Sequence, residues 1–165
     1  MIKKRSDLIF LIDVDGTLST GEYICDAEGK KYKIFGPDDT DALKILREYM
    51  HIEFISGDKK GFEISKNRIV DHMGFKLTLV SSSKRIEWIE RKFKKKKIIY
   101  MADGILDHLV FKKVYYSICP NNSDQYLKKI SKYVSKCDGG RRAVADGCKH
   151  ILKVFFNKDF HKISL

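Results

Sequence analysis

Residues 10–18 read FLIDVDGTL. The apolar run from Leu8 to Ile12 has the length and composition of a buried strand. Strand side chains repeat every two residues, so Asp13 and Asp15 emerge on one face at its end. A single aspartate there is ordinary turn chemistry. Two of them, followed by Gly16 and Thr17, gather negative charge where folding alone needs none. A bound metal ion accounts for the arrangement.

Outward from this stretch, apolar runs alternate with amphipathic ones to the end of the chain, the pattern of an α/β sheet with helices on its faces. Strands are predicted at Leu8 to Ile12, Ile52 to Ile55, Leu77 to Val80, Ile98 to Met101 and Val114 to Ser117. Helices are predicted at Asp39 to Tyr49, Phe62 to Met73, Lys84 to Phe93, Ile105 to Lys112, Ser123 to Ser131 and Arg141 to Phe155. Asp39 reads as a helix cap, and Gly74 stands just past a helix end. The segment GEYICDAEGKKYKIF reads as a hairpin around Asp26-Ala27-Glu28-Gly29. The predicted fold is a Rossmann-like three-layer sandwich with a mostly parallel sheet and a β-hairpin flap. It forms a single domain over residues 1–165, a length that suits one buried core.

Composition narrows the classes of function. Hydrophobic residues make up 43% and charged ones 33%, which is globular rather than disordered. The basic start MIKKRSDLIFLIDVDG has the outline of a signal peptide, but Asp13 interrupts its apolar run early and no small-residue cleavage site follows, so it reads as a first strand in a cytoplasmic protein. Cys25, Cys119, Cys137 and Cys148 form no C-x-x-C pair, which argues for reduced thiols rather than a zinc cage or disulfides. The formal charge is +11 and favours anionic ligands, yet the densest run, Lys94 to Lys97, falls between a helix and a strand and reads as a solvated loop. Nucleic-acid binding ordinarily adds an aromatic platform, and the aromatics here are scattered among core positions.

Ligands of open α/β sheets bind outside the carboxyl ends of the strands. Polar chemistry stands at four such ends: Asp13 and Asp15, then Ser56-Gly57-Asp58, then Ser81 to Lys84, then Asp103 and Asp107. Each group alone is also good turn chemistry. Their joint occurrence at one edge points to a site.

Those residues resemble the motifs of the haloacid dehalogenase superfamily of phosphohydrolases. Asp13-Val14-Asp15-Gly16-Thr17 matches the D-x-D-G-T/V motif, and Ser56, Lys84 and the pair Asp103 and Asp107 follow in the family's order. Within the superfamily the chain is similar to the capless sugar phosphatases, the 3-deoxy-octulosonate 8-phosphate phosphatase family among them. The segments KIFGPDDTDALKIL, KKVYYSICPNNSDQYLKKISKYVSK and CDGGRRAVADGCKHIL carry that closer likeness.

The resemblance implies a mechanism. Asp13 would be the nucleophile that forms an aspartyl-phosphate, and Asp15 the general acid and base. Mg²⁺ would be held by the Asp13 carboxylate, the Asp15 carbonyl and the Asp103 carboxylate, with Asp107 as an outer partner of Lys84 or of a metal-bound water. Ser56, Lys84, Thr17 and the Gly57 amide would bind the phosphoryl group.

The chain departs from the family where G-D-D-x-x-D becomes Ala102-Asp103-Gly104-Ile105-Leu106-Asp107, where Asp58 replaces a frequent arginine, and where Arg142 replaces a glycine. Only 42 residues, 14–55, separate Asp13 from Ser56, and only 27, 57–83, separate Ser56 from Lys84, which leaves no room for a cap domain. The family's homotetramer would use the hairpin Tyr23 to Phe35 as its assembly surface and bring Gly139, Gly140, Arg141 and Arg142 to the rim of a neighbour's site. Gly139-Gly140 also reads as a plain loop before the last helix. The leading expectation is a Mg²⁺-dependent phosphatase for a phosphorylated acidic sugar, such as an ulosonic or nonulosonic acid phosphate of surface-polysaccharide biosynthesis. The alternatives are a phosphatase of nucleic-acid ends and a noncatalytic assembly module.

Overall fold

The computed structural model describes residues 4–163. Strand β1 (Arg5–Asp13) lies at the centre of a six-stranded sheet with β4 (Met50–Ser56), β5 (Lys76–Leu79), β6 (Lys97–Met101), β7 (Tyr116–Cys119) and β8 (Tyr133–Val134), ordered β5-β4-β1-β6-β7-β8. All five neighbouring pairs are parallel. The continuous apolar run of β1 follows from this position, because a central parallel strand is covered on both faces. Leu8, Phe10 and Ile12 pack on one side with α1 (Asp39–Leu46) and α6 (Ala143–Phe156). Ile9 and Leu11 pack on the other with α3 (Arg85–Lys92), α4 (His108–Phe111) and α5 (Gln125–Ile130). Helix α2 (Phe62–Lys66) continues through a wider turn to His72 and delivers Ile69 to the first of these cores.

From β1 the chain goes to β4 and β5 on one side and then crosses to β6, β7 and β8 on the other. The crevice outside the carboxyl ends of β1, β4 and β6 is therefore the topological switch point of the sheet. The antiparallel hairpin of β2 (Ser19–Asp26) and β3 (Gly29–Phe35) stands directly after the Asp13–Leu18 turn. Its tip is closed as the sequence suggests, with Asp26 Oδ1 accepting from the amides of Glu28 (2.8 Å) and Gly29 (3.2 Å).

Three readings need correction. The strand predicted at Val114 to Ser117 lies two residues later, where Ser117, Ile118 and Cys119 are the buried positions. The two-residue β8 is too short to leave a pattern in sequence. Asp39 does not cap its own helix: Asp38 occupies that position in a left-handed conformation, and the buried Asp39 carboxylate accepts from the amide of Ala145 (2.8 Å) in the first turn of α6. No cysteine is paired among the described residues, and no helix there is long and apolar enough to cross a membrane.

Candidate active site

A cleft of about 280 Å³ opens at the switch point, and Asp13, Asp15, Asp103 and Asp107 all line it. The first two are delivered by the end of β1 and the turn that follows. That turn depends on Gly16, whose φ of 85° suits glycine and whose missing side chain makes room for Asp103: a Cβ there would stand 2.0 Å from Asp103 Oδ2. Asp103 follows β6, so a short aliphatic-to-acidic switch at each strand end aims both carboxylates into one crevice.

Asp13 is buried, and its Oδ1 accepts from Arg85 Nη2 at 2.8 Å. Burial pushes its carboxyl well above the usual range; the Arg85 guanidinium opposes this, while the charges of Asp107, Asp103 and Asp15 reinforce it. Arg85 also donates from Nη1 to Asp107 Oδ1 (2.6 Å) and to the hydroxyl of Tyr100 (2.8 Å), and that hydroxyl donates to Asp107 (2.7 Å). One fork thus spans two buried carboxylates, a geometry that arginine supports and lysine does not. Asp107 Oδ2 accepts from the amide of Gly104 (3.1 Å).

Asp15 sits in a different setting. Its side chain is 30% exposed; Oδ2 accepts from Ser56 Oγ (3.0 Å), and Oδ1 pairs with Lys33 Nζ (2.7 Å). Ser56 is fully buried and its hydroxyl also accepts from the Asp58 amide (3.1 Å), so it organises the turn after β4 as well as Asp15. Gly57 and Asp58 form the cleft wall beside it.

Several of the residues singled out from sequence occupy other places. Lys84 does not line the cleft; it borders a separate groove with Leu79, Ser81 and Trp88, and the cation over Asp13 is its neighbour Arg85. The reason is helical register: Arg85 shares the buried face of α3 with Ile89, whereas Lys84 ends the tight turn before it. Asp107 accordingly partners Arg85, not Lys84. Thr17 is fully buried and donates to Asp103 Oδ1 (3.1 Å), which orients a carboxylate and leaves no hydroxyl face for substrate. Arg141 and Arg142 do not line the cleft of their own chain; Arg142 pairs with Asp38 at 2.5 Å on the surface. Gly139 and Gly140 pack behind the motif turn, where a Cβ at Gly139 would fall 1.8 Å from the Gly16 carbonyl oxygen and the Gly140 amide donates to the Thr17 carbonyl (3.1 Å). Sequence reasoning missed Arg85, Lys33 and Tyr100. The spacing of Arg85 to Ile89 was the available signal for the first, and none marked the other two.

The donor set suits a hard divalent cation. Asp13, Asp103 and the Asp15 carbonyl offer only oxygen. Burial raises Asp103 to about 6, with the Asp107 charge adding to it and the Thr17 hydrogen bond opposing it, so the cleft holds acidic groups that a positive charge would relieve. Among the described residues no group of three acidic, histidine or cysteine side chains stands placed to hold a metal ion.

A parallel sheet with D-x-D at its switch point, a basic residue at the start of a helix and an aspartate after the strand beside it is the arrangement expected from the motif resemblance to haloacid dehalogenase phosphohydrolases. Over 159 residues the chain is 25% identical to the 3-deoxy-D-manno-octulosonate 8-phosphate phosphatase KdsC of Escherichia coli, covering 92% of this chain and 82% of that protein. Its fold matches the phosphatase of the same name from Moraxella catarrhalis, solved with magnesium, phosphate and KDO, at a TM-score of 0.76 and 25% identity over 90% of this chain and 86% of that one. A putative 3-deoxy-D-manno-octulosonate 8-phosphate phosphatase from Vibrio cholerae superimposes with a TM-score of 0.78 at 24% identity, covering 96% and 89% of the two chains. No protein-family model matches. In sequence and in fold the chain is similar to the octulosonate 8-phosphate phosphatases.

Proposed function

We propose that this chain, read over 1–165 as one domain, is a Mg²⁺-dependent phosphomonoester hydrolase acting on a phosphorylated acidic sugar through an aspartyl-phosphate. The observation that carries the reading is the convergence of Asp13 and Asp103 on one cleft, with Asp13 clamped by Arg85. The likeness to phosphatases of an eight-carbon ulosonic acid supports the substrate class.

Asp13 attacks phosphorus; its oxygen–phosphorus bond forms as the bond to the sugar oxygen breaks, and Asp15 gives that oxygen its proton. Asp15 then takes a proton from water as the water oxygen attacks phosphorus, releasing phosphate and restoring the Asp13 carboxylate. Asp13, Asp103 and the Asp15 carbonyl would hold Mg²⁺, which supplies positive charge against the anionic phosphoryl group. Arg85 fixes the Asp13 carboxylate for in-line approach, the Gly57 amide stands beside the phosphoryl position, and the buried Ser56 hydroxyl, committed to Asp15, orients that carboxylate and does not contact the phosphoryl group.

The hairpin supports assembly as a homotetramer, because Ile24, Tyr32 and Ile34 expose apolar side chains on one of its faces that solvent alone does not favour. Free cysteines suit the cytoplasm. A polymer substrate fits less well: Lys97 begins β6, whereas Asp103 follows its other end, roughly 13 Å or more away by strand rise. Phosphate release with Mg²⁺ against sugar phosphates, nucleotides and end-phosphorylated oligonucleotides tests the proposal. The expected result is turnover of acidic sugar phosphates, abolished by a chelator and by Asp13→Asn; activity confined to oligonucleotides, or retained in Asp13→Asn, would overturn it.

A further inference from the structure

Lys33 is an inward-facing lysine on the hairpin strand β3. Its neighbours Tyr32 and Ile34 are exposed, yet its own side chain is 1% exposed and its ammonium is fully coordinated: Asp15 Oδ1 at 2.7 Å, Asp58 Oδ2 at 2.9 Å and Ser65 Oγ at 2.8 Å. Lys30, three residues earlier on the same strand and beyond the register shift at Lys31, pairs with Asp58 at 2.5 Å but does not touch Asp15. The space is closed around them, since a Cβ on Gly61 would meet Asp58 Oδ2 at 2.4 Å and Lys33 Cε at 2.6 Å. A lysine carries much rotamer entropy, and an ammonium is costly to remove from water, so three short partners are needed to keep it there.

Each aspartate of the D-x-D pair therefore has its own cation from a different element: Arg85 from α3 for Asp13 and Lys33 from β3 for Asp15. Together with Ser56 on the opposite oxygen, Lys33 leaves the Asp15 carboxylate one orientation. We propose that Lys33 is a positioning residue for catalysis, holding Asp15 in the geometry from which it accepts the proton of the attacking water, and that the hairpin is thereby part of the active site. The proposal rests on the phosphatase reading above. It assigns Lys33 to Asp15 and not to the substrate, and the two assignments separate in kinetics. Loss of a positioning residue lowers kcat, whereas loss of a ground-state substrate contact raises KM.

The probe is p-nitrophenyl phosphate with Mg²⁺, whose leaving group departs without help from an acid, so that formation of the phosphoenzyme is seen as a burst of nitrophenolate and its hydrolysis as the steady state. Lys33→Met is expected to keep a burst approaching one equivalent per site while the steady-state kcat and KM fall together by about 100-fold, leaving kcat/KM within about threefold of wild type. Lys30→Met, on the same strand and the same Asp58, is expected to stay within about threefold of wild type in both. Lys33→Gln, shorter and uncharged but still polar, serves if the methionine variant does not fold, with the same pattern expected. A KM raised tenfold at unchanged kcat, a Lys30→Met defect as large as that of Lys33→Met, or wild-type steady-state rates in a folded Lys33 variant would overturn the proposal. Failure of the wild-type protein to release nitrophenolate would instead remove the phosphatase reading, and this inference with it.

Discussion

Asp13 and Asp15 are two residues apart in sequence and in contrasting surroundings. Asp13 is enclosed by β1, Arg85 and two further carboxylates, in a region where removal from water raises its carboxyl well above the usual range. Asp15 is partly open to the cleft and held by Lys33 and Ser56. The difference follows from the strand end: Asp13 is the last residue of a doubly covered strand, while Asp15 belongs to the turn that leaves the sheet. Two identical side chains can then serve as nucleophile and as proton carrier, because a nucleophile needs rigid placement and a shielded approach, whereas a proton carrier needs access to water.

The largest test of this contrast is Arg85→Met. Removing the fork leaves Asp13 and Asp107 buried without a cation, which costs about 3–5 kcal/mol. Urea unfolding is expected to show that loss together with a fall in turnover of at least about 100-fold. A loss of less than about 1 kcal/mol would mean that the two settings are not electrostatically different.

Asp39 sharpens the contrast, as a buried carboxylate with no cation at all. One oxygen caps α6 and the other has no partner, and burial raises its carboxyl from the ordinary carboxylate range to about 6. Because the folded value lies above the unfolded one, its contribution is fully present below pH 4 and is lost as pH rises through 6, a swing of about 3 kcal/mol. Asp39→Asn is therefore expected to melt higher than wild type at pH 8 and to converge with it near pH 4. Parallel melting curves for the two proteins across that range would contradict the assignment. The smallest effect is expected of Lys84→Ala, which removes a side chain outside the cleft. Its kcat and KM are expected to stay within about twofold of wild type, and a loss comparable to that of Arg85→Met would return the phosphate-facing role to Lys84.

Much of the fold was legible because its signals are local. The run Leu8 to Ile12, the helix of Arg141 to Phe155 and the turn Asp26 to Gly29 each carry their pattern within a few residues, and the strand ends put Asp13, Asp15, Ser56 and Asp103 at one edge once the sheet is assumed parallel. The partners were harder. Lys84 and Arg85 are adjacent and equally basic, and a one-residue change in where α3 begins decides which of them enters the cleft. Thr17 follows a glycine in a loop, a position that suits phosphate binding as well as the internal hydrogen bond to Asp103 that it makes.

By itself the sequence determined that a doubly buried strand ends in two carboxylates, with further polar strand ends to accompany them, since periodicity and turn chemistry are written in neighbouring residues. Tertiary structure alone decided that Lys33 faces inward while Tyr32 and Ile34 face out, and that Arg85 bridges Asp13 to Asp107. Those choices depend on charges from segments distant along the chain meeting where water is excluded. There ion pairs are strong enough to turn a charged side chain inward and leave its apolar neighbours outside, the reverse of what polarity alone would give.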